Sequence, residues 1–166
     1  RLEAGGMEGA PVIFRGDNFG GISSLGNGEA EVTNASFLSS LGPALYSGDY
    51  AFSRLKNCLF RDNRINISVS GDSSLFADGC SFEKSSELSV SASGDSRTIL
   101  SRCRVSGNAG RLAQVSDSSG LALVSSSLSD AGAGVSLENK ASFYSRSSSF
   151  SGLGDYALLS KARGSR

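Results

Sequence analysis

Histidine and tryptophan are absent from this 166-residue chain, methionine occurs once and proline twice. Without histidine, any acid–base chemistry would have to run on carboxylates, lysine or arginine. The commonest metal-ligating side chain is missing with it. The three cysteines form no Cys-x-x-Cys pair, so no metal centre is expected. No apolar run approaches the roughly 18–20 residues of a membrane-spanning helix, and insertion of this segment into a bilayer is not expected. Excess charge of either sign is lacking too: 16 Lys+Arg balance 16 Asp+Glu. That leaves no field to attract nucleic acid or an anionic membrane. The one basic cluster, KARGSR at 161–166, reads as a solvated tail. No signal peptide heads the chain, and its start at Arg1 rather than Met reads as a processed or cut N-terminus.

What is abundant is serine and glycine, a bias that by itself suggests disorder. The spacing of the large apolar residues argues otherwise. Phe14, Phe37, Phe60, Phe82, Val105, Leu128 and Phe150 follow one another at intervals of 23, 23, 22, 23, 23 and 22 residues. A fixed period of this size signals stacked structural units. Two residues before each anchor stand Val12, Ala35, Cys58, Cys80, Cys103, Ser126 and Ser148. Five before it stand Val32, Leu55, Ala77, Leu100, Leu123 and Ser145, and seven before it Ala30, Ser53, Leu75, Thr98, Leu121 and Phe143. These columns are small or apolar, and the positions between them are mostly polar.

Positions −7 and −5 alternate with period two, as do −2 and 0, which is strand patterning. The phase breaks between −5 and −2. Position −3 there holds Asn34, Asn57, Gly79, Arg102, Ser125 and Ser147. Asn and Gly tolerate left-handed backbone best, so a tight bend is expected at −3, with Arg102 fitting least well. A third strand follows each anchor: Ile65, Ile67 and Val69; Leu88, Val90 and Ala92; Leu112 and Val115; Val135 and Leu137; and the YALL segment at 156–159. Ser-Gly-Asp turns at 47–49, 70–72 and 93–95 close the units with residues suited to positive φ. Three short parallel strands per 22–23 residues describe one coil of a parallel β-helix. The expected fold is therefore all-β: a single domain over 1–166 with six to seven such coils, about 30 Å tall at 4.8 Å per coil. LKNCLFRDNRI (55–65) also fits a leucine-rich repeat. In that rival the Asn63 column should repeat, yet it reads Asp17, Ser40, Ser85, Asn108, Ala131 and Leu153. ISVSGDS and LSVSASGDS also alternate with period two rather than as helix.

In this architecture Cys58, Cys80 and Cys103 form one inward column beside the phenylalanines Phe37, Phe60, Phe82 and Phe150, with cysteine serving as a small buried side chain. Free thiols are expected, because in-register side chains strain a disulfide's dihedral. The bend asparagines and the stacked Phe and Cys columns resemble right-handed parallel β-helix proteins of the pectate-lyase-like kind, over roughly residues 7–160. The right hand comes from that resemblance and from the preference for right-handed crossovers. FRDN (60–63), FRGDN (14–18) and FGGI (19–22) are similar to the FxxN and GGA[ILV] motifs of bacterial polymorphic outer-membrane and autotransporter passenger proteins. A single coil buries too few side chains to offset its ordering entropy, so stability must come from stacking. Neither RLEAGGMEGAP nor SKARGSR reads as an amphipathic cap, although RLEAGGME suits a frayed turn. The chain is thus expected to be a segment of a longer protein, or to meet flanking coils, domains or further copies of itself at open ends.

For chemistry, Asp49, Asp72 and Asp95 recur at spacing 23 and are the candidate edge for a Ca²⁺ ion or a glycan, or simply turn residues. Ser118 and Lys140 end that column. Arg15 and Arg61 follow their anchors but are interrupted by Leu38, and Asp62 and Lys84 fall in adjacent columns without a further acid–base partner. No catalytic residue and no cofactor is assigned. Arg15-Gly16-Asp17 is a possible integrin tripeptide, and Asn34-Ala35-Ser36 and Asn66-Ile67-Ser68 are glycosylation sequons. The expected function is a non-catalytic structural or adhesive module, extracellular, cell-surface or periplasmic and most simply bacterial. It would act in display, binding or self-association. The rival is a carbohydrate-binding or polysaccharide-degrading β-helix whose catalytic coils lie outside this segment.

Overall fold

The structure, a computed structural model, describes residues 1–16 and 18–161. Those residues form strands and turns with no helix, and hence no helix able to cross a membrane. The first wall is a seven-stranded parallel sheet of Leu2–Gly5, Glu29–Thr33, Phe52–Lys56, Ser74–Asp78, Arg97–Ser101, Gly120–Val124 and Ser142–Arg146. The second wall runs through Val12–Arg15, Ala35–Leu38, Leu59–Arg61 and Ser81–Glu83, and the third through Ile22–Ser24, Pro43–Ser47, Ile65–Val69 and Leu88–Ala92. Arg104–Val115 and Ser127–Glu138 are 12-residue strands that turn the corner and serve both walls, before Ser149–Leu153 and Leu158–Lys161 separate again. Every rung pairs in parallel with the next, so the chain winds as a three-walled parallel β-helix.

The anchors meet as the spacing predicts. Phe37 pairs with Phe60, and Phe60 with Phe82, in register. Their rings stack at 4.4 Å and 5.0 Å between centroids, with Phe14 a further 4.9 Å from Phe37. Phe37, Phe60 and Phe82 are fully buried, and Val105 and Leu128 continue the column. Phe150, on the last described rung, is half-buried.

All six −3 residues have positive φ, from 49° at Asn34 to 62° at Gly79, and Arg102 adopts it as well at 52°. The bend does not interrupt the ladder. Asn57 N–H still donates to Asp78 O at 3.0 Å, and Arg102 N–H to Val124 O at 2.9 Å. A lone αL residue is tolerated because its amide stays paired; the cost is the Cβ clash alone.

Four features differ from the sequence reading. Leu2–Gly5 is a strand of the first wall, pairing Leu2 with Ala30, rather than part of a frayed turn. The extra residues before Val12 leave as a turn closed by a Met7–Ala10 bridge, which hides the strand from the 23-residue count. The two long strands replace four short ones, because ladder pairing continues through their corner with only a register shift at Asn108/Arg111. In the third wall, Ala113 and not Leu112 faces Val90. Leu112 is buried one position earlier, where Ala44, Asn66 and Ser89 are also buried. Finally, each coil has two more left-handed corners. One lies at Gly26, Asp49, Gly71, Gly94, Asp117 and Asn139, where the turns suggested it; the other, at Ser39, Asp62, Lys84, Gly107, Asp130 and Gly152, was not anticipated although four of its six residues are Gly or Asp.

Buried polar side chains close these corners. Asn63 accepts from Ser40 N–H at 2.8 Å and donates to Phe37 O at 3.1 Å and to Asn66 Oδ1 at 3.0 Å. Asn108 accepts from Ser85 N–H in the same way two coils later. At the third corner the Ser73 hydroxyl donates to the Ser47 and Ser70 carbonyls, and the Ser96 hydroxyl to Val69 O. The Asn63 and Asn108 side chains thereby satisfy the Ser40 and Ser85 amides at the corner, whereas Ser47 O and Val69 O also accept the Ser70 and Ser93 amides from the next coil.

Candidate functional site: the outer face of the first wall

The cysteine column is internal. Cys58, Cys80 and Cys103 are free and 1–2% exposed. Cys58 N–H approaches Cys80 Sγ at 3.4 Å, and the outer two thiols point at the Val32 and Ala77 carbonyls. Hydrogen bonds with Cys103 and Cys58, and then burial, hold the Cys80 thiol above its ordinary range. Its role is packing.

The carboxylate column is out of register. Ser47 pairs with Val69, so Asp49 lies beside Gly71 and not Asp72; Asp72 N–H donates to Asp49 O at 2.6 Å. Asp49 is itself the left-handed residue, and its carboxylate accepts from Gly26 N–H at 3.3 Å. Asp117 does the same for Gly94 N–H at 3.2 Å. Asp72 and Asp95 occupy the next position, followed by Ser118 and Lys140. No group of three or more His, Cys, Asp or Glu side chains among the described residues is arranged to hold a metal ion.

The other candidates are also dispersed. Arg15, Leu38 and Arg61 stack in register, and Arg61 pairs with Glu83 at 2.7 Å. Asp62 and Lys84 are successive members of one left-handed corner rather than of adjacent columns. Asn66 is fully buried and donates to Ser89, while Asn34 donates to Gly6 O at 2.9 Å, so both sequon amides are occupied by the fold. Asp17 of the Arg-Gly-Asp tripeptide lies outside the described residues, as does most of KARGSR.

The outward positions of the first wall do make a site. Position −8 reads Arg97, Gly120 and Ser142 over three successive rungs, and position −6 reads Ile99, Ala122 and Tyr144. Gly120 has no side chain and Ala122 only a methyl, so the middle rung is sunk between its neighbours. The result is an open trough of about 590 Å³, rimmed on the turn side by Asp95 and Ser118. Ile99 is 40% and Tyr144 56% exposed, so the trough has an apolar side and an aromatic face in solvent. Neither Asp95 nor Arg97 is in an ion pair among the described residues, whereas Arg64–Glu87 and Arg102–Asp78 pair along the walls. The −8 and −6 columns could have been read with the same register as the inward ones; the sunken rung is visible in them as Gly and Ala.

No curated protein and no solved structure matches the chain. The family described as "Right handed beta helix region" matches residues 17–165, which fixes the hand of the coil. With that match over most of its length and a three-walled parallel stack to correspond, the chain belongs to the right-handed β-helix family.

Proposed function

We propose that this chain is a non-catalytic β-helix module of a secreted or cell-surface protein, acting in display, binding or self-association. The observation that carries the reading is how the polar side chains are used. Asparagines and serines hold the corners, and Arg61–Glu83, Arg64–Glu87 and Arg102–Asp78 pair across rungs. A rigid wall with a shallow trough remains for a partner. The FxxN-like and GGA-like segments support placement at a bacterial surface. Flanking coils or domains of a parent protein are natural partners for the end rungs, whose Phe143, Phe150 and Leu153 are half-buried.

A second reading, a carbohydrate-binding module or one whose catalytic coils lie elsewhere, is favoured by the aromatic trough. A glycan array probed with and without Ca²⁺, together with a reducing-end assay on the polysaccharides bound, tests both. Binding without turnover is expected. Steady release of reducing ends by the purified chain would overturn the non-catalytic reading. Light scattering against concentration tests self-association, and a monomer at every concentration counts against it.

A further inference from the structure

We infer that the outer face of the first wall packs against the same face of a second copy in a two-fold dimer. The inference rests on the self-association reading above and deepens it. Outward positions on a solvated wall are expected to be polar. The third wall obeys, with Ser68, Ser91 and Gln114 in its outward column. The first wall does not. Phe52, Phe76 and Ile99 face outward on three successive rungs, and Phe52 is 39% and Ile99 40% exposed. A contiguous apolar patch of this kind marks an interface. Beside it lies the hollow over Gly120 and Ala122.

The wall is complementary to itself about one axis. A two-fold in the interface, parallel to the strands and midway between Ser74–Asp78 and Arg97–Ser101, reverses the order of the rungs and keeps each residue's place along its strand. Phe52 of one copy then stands over Gly120 of the other, both at position −8. Arg54 stands over Ala122, and Phe76 over Ile99, all at position −6. Each contact occurs twice. Aligned sheets pack about 10 Å apart, and a ring facing a glycine fits such a gap. Glycine at 120 is not imposed by a left-handed backbone, since its φ lies outside that region; what it supplies is room. Charge agrees at the far rungs. Glu3, Glu29 and Glu31 share the single Arg1 guanidinium, and the axis sets Glu29 and Glu31 against the rung that carries Arg146. The face from Glu29–Thr33 to Ser142–Arg146 measures about 30 Å by 16 Å at ordinary strand spacings. Two such faces bury on the order of 1,000 Å², the size a specific interface needs. Ser142–Arg146 is the free edge of this wall, but a strand added there would leave Phe52 and Phe76 in solvent.

Sedimentation equilibrium of the whole chain reads the association, and amide chemical shifts on dilution read its place. A monomer–dimer equilibrium is expected, with the Phe52, Phe76, Ile99 and Gly120 amides moving together. Phe52→Ala removes both knobs of the pair and should weaken the dimer at least about tenfold. Ala122→Arg sets like charges opposite each other at Arg54 and should do the same. Adding Arg54→Glu to Ala122→Arg should restore the dimer, which tests the register itself. Ser91→Arg on the third wall should leave it unchanged, with thermal melts by circular dichroism confirming that every variant folds. A monomer at every concentration, a dimer indifferent to Ala122→Arg, or a double variant no tighter than Ala122→Arg alone would overturn the inference. Growth beyond two copies would also overturn it, by assigning association to the end rungs. Each of these leaves the non-catalytic module standing, whereas steady release of reducing ends from a polysaccharide would overturn that reading and not the dimer.

Discussion

Replacing Phe60 with alanine should be among the most damaging single changes available in this chain, and its size follows from the stack. Phe60 is fully buried, and its ring lies between Phe37 at 4.4 Å, nearly parallel at 2°, and Phe82 at 5.0 Å. Truncating a core phenylalanine costs about 3–5 kcal/mol in lost transfer and cavity. Each stacked pair adds about 0.5–1.5 kcal/mol, and two are lost, which places the change at the upper end, about 5 kcal/mol. Phe14 is the internal comparison. It is half-buried and has one stacked neighbour, Phe37 at 4.9 Å, so Phe14→Ala should cost about 2 kcal/mol. Urea unfolding followed by far-ultraviolet circular dichroism measures both. With a urea slope of about 2 kcal/mol/M, the midpoint should fall by about 2.5 M for Phe60→Ala and about 1 M for Phe14→Ala. Equal losses at the two sites would refute the nearest-neighbour argument, since the difference depends on having rungs on both sides. A loss under about 2 kcal/mol at Phe60 would mean that the column does not form.

Asn63→Ala should destabilise by about 3 kcal/mol, because it strands buried partners on Ser40, Phe37 and Asn66; the same urea experiment reads it. Ser125→Gly should raise stability by about 0.5–1 kcal/mol, since φ is 50° there and the side chain is exposed; a loss would show that the bend is not strained. Ellman's reagent should find no reactive thiol in the native chain and three after denaturation, because all three cysteines are buried. The raised Cys80 thiol also sets an alkaline dependence. The folded state keeps a proton that the unfolded chain loses above about pH 8.5, so the contribution is intact below that pH. Cys58 and Cys103, hydrogen-bonded to Cys80, are shifted the opposite way, so it is the Cys80 share that should decline above that pH, and Cys80→Ala should flatten that decline.

The inward half of the molecule was legible because each rung repeats the same environment. A residue at −5 meets the same neighbours in every coil, so Val32, Leu55, Leu100 and Leu123 announce the column by chemistry alone. The bend at −3 was legible for a related reason: Asn34, Asn57 and Gly79 are residues that relax in αL, and they outvote Arg102. The corner after the second wall was not. Asp62, Gly107, Asp130 and Gly152 share the left-handed tolerance used at −3, but Ser39 and Lys84 do not, and the column was not read for it. The Asn63 column, which first suggested a leucine-rich repeat, served a similar physical need: an asparagine side chain standing in for a missing ladder bond at a turn.

The aspartates show why the outer surface resisted the same treatment. Asp49, Asp72 and Asp95 share a Ser-Gly-Asp motif and a 23-residue spacing, yet a motif match aligns names and the ladder aligns backbones. Leu45 pairs with Ile67, 22 residues on, while Phe37 pairs with Phe60, 23 residues on. The corner after Asn63 is therefore one residue shorter than the corner after Ser40. That deletion slides the next Ser-Gly-Asp by one place, so the left-handed position passes from Asp49 to Gly71. Inside the coil such a slip would turn a leucine outward, and the apolar pattern would report it. On a solvated turn nothing is buried to object. The same freedom lets Gly120 and Ala122 sit in columns that hold Arg97, Ile99 and Tyr144 one rung away. A functional surface on this fold has to be found by carrying the inward register outward, rung by rung, because the surface keeps no register of its own.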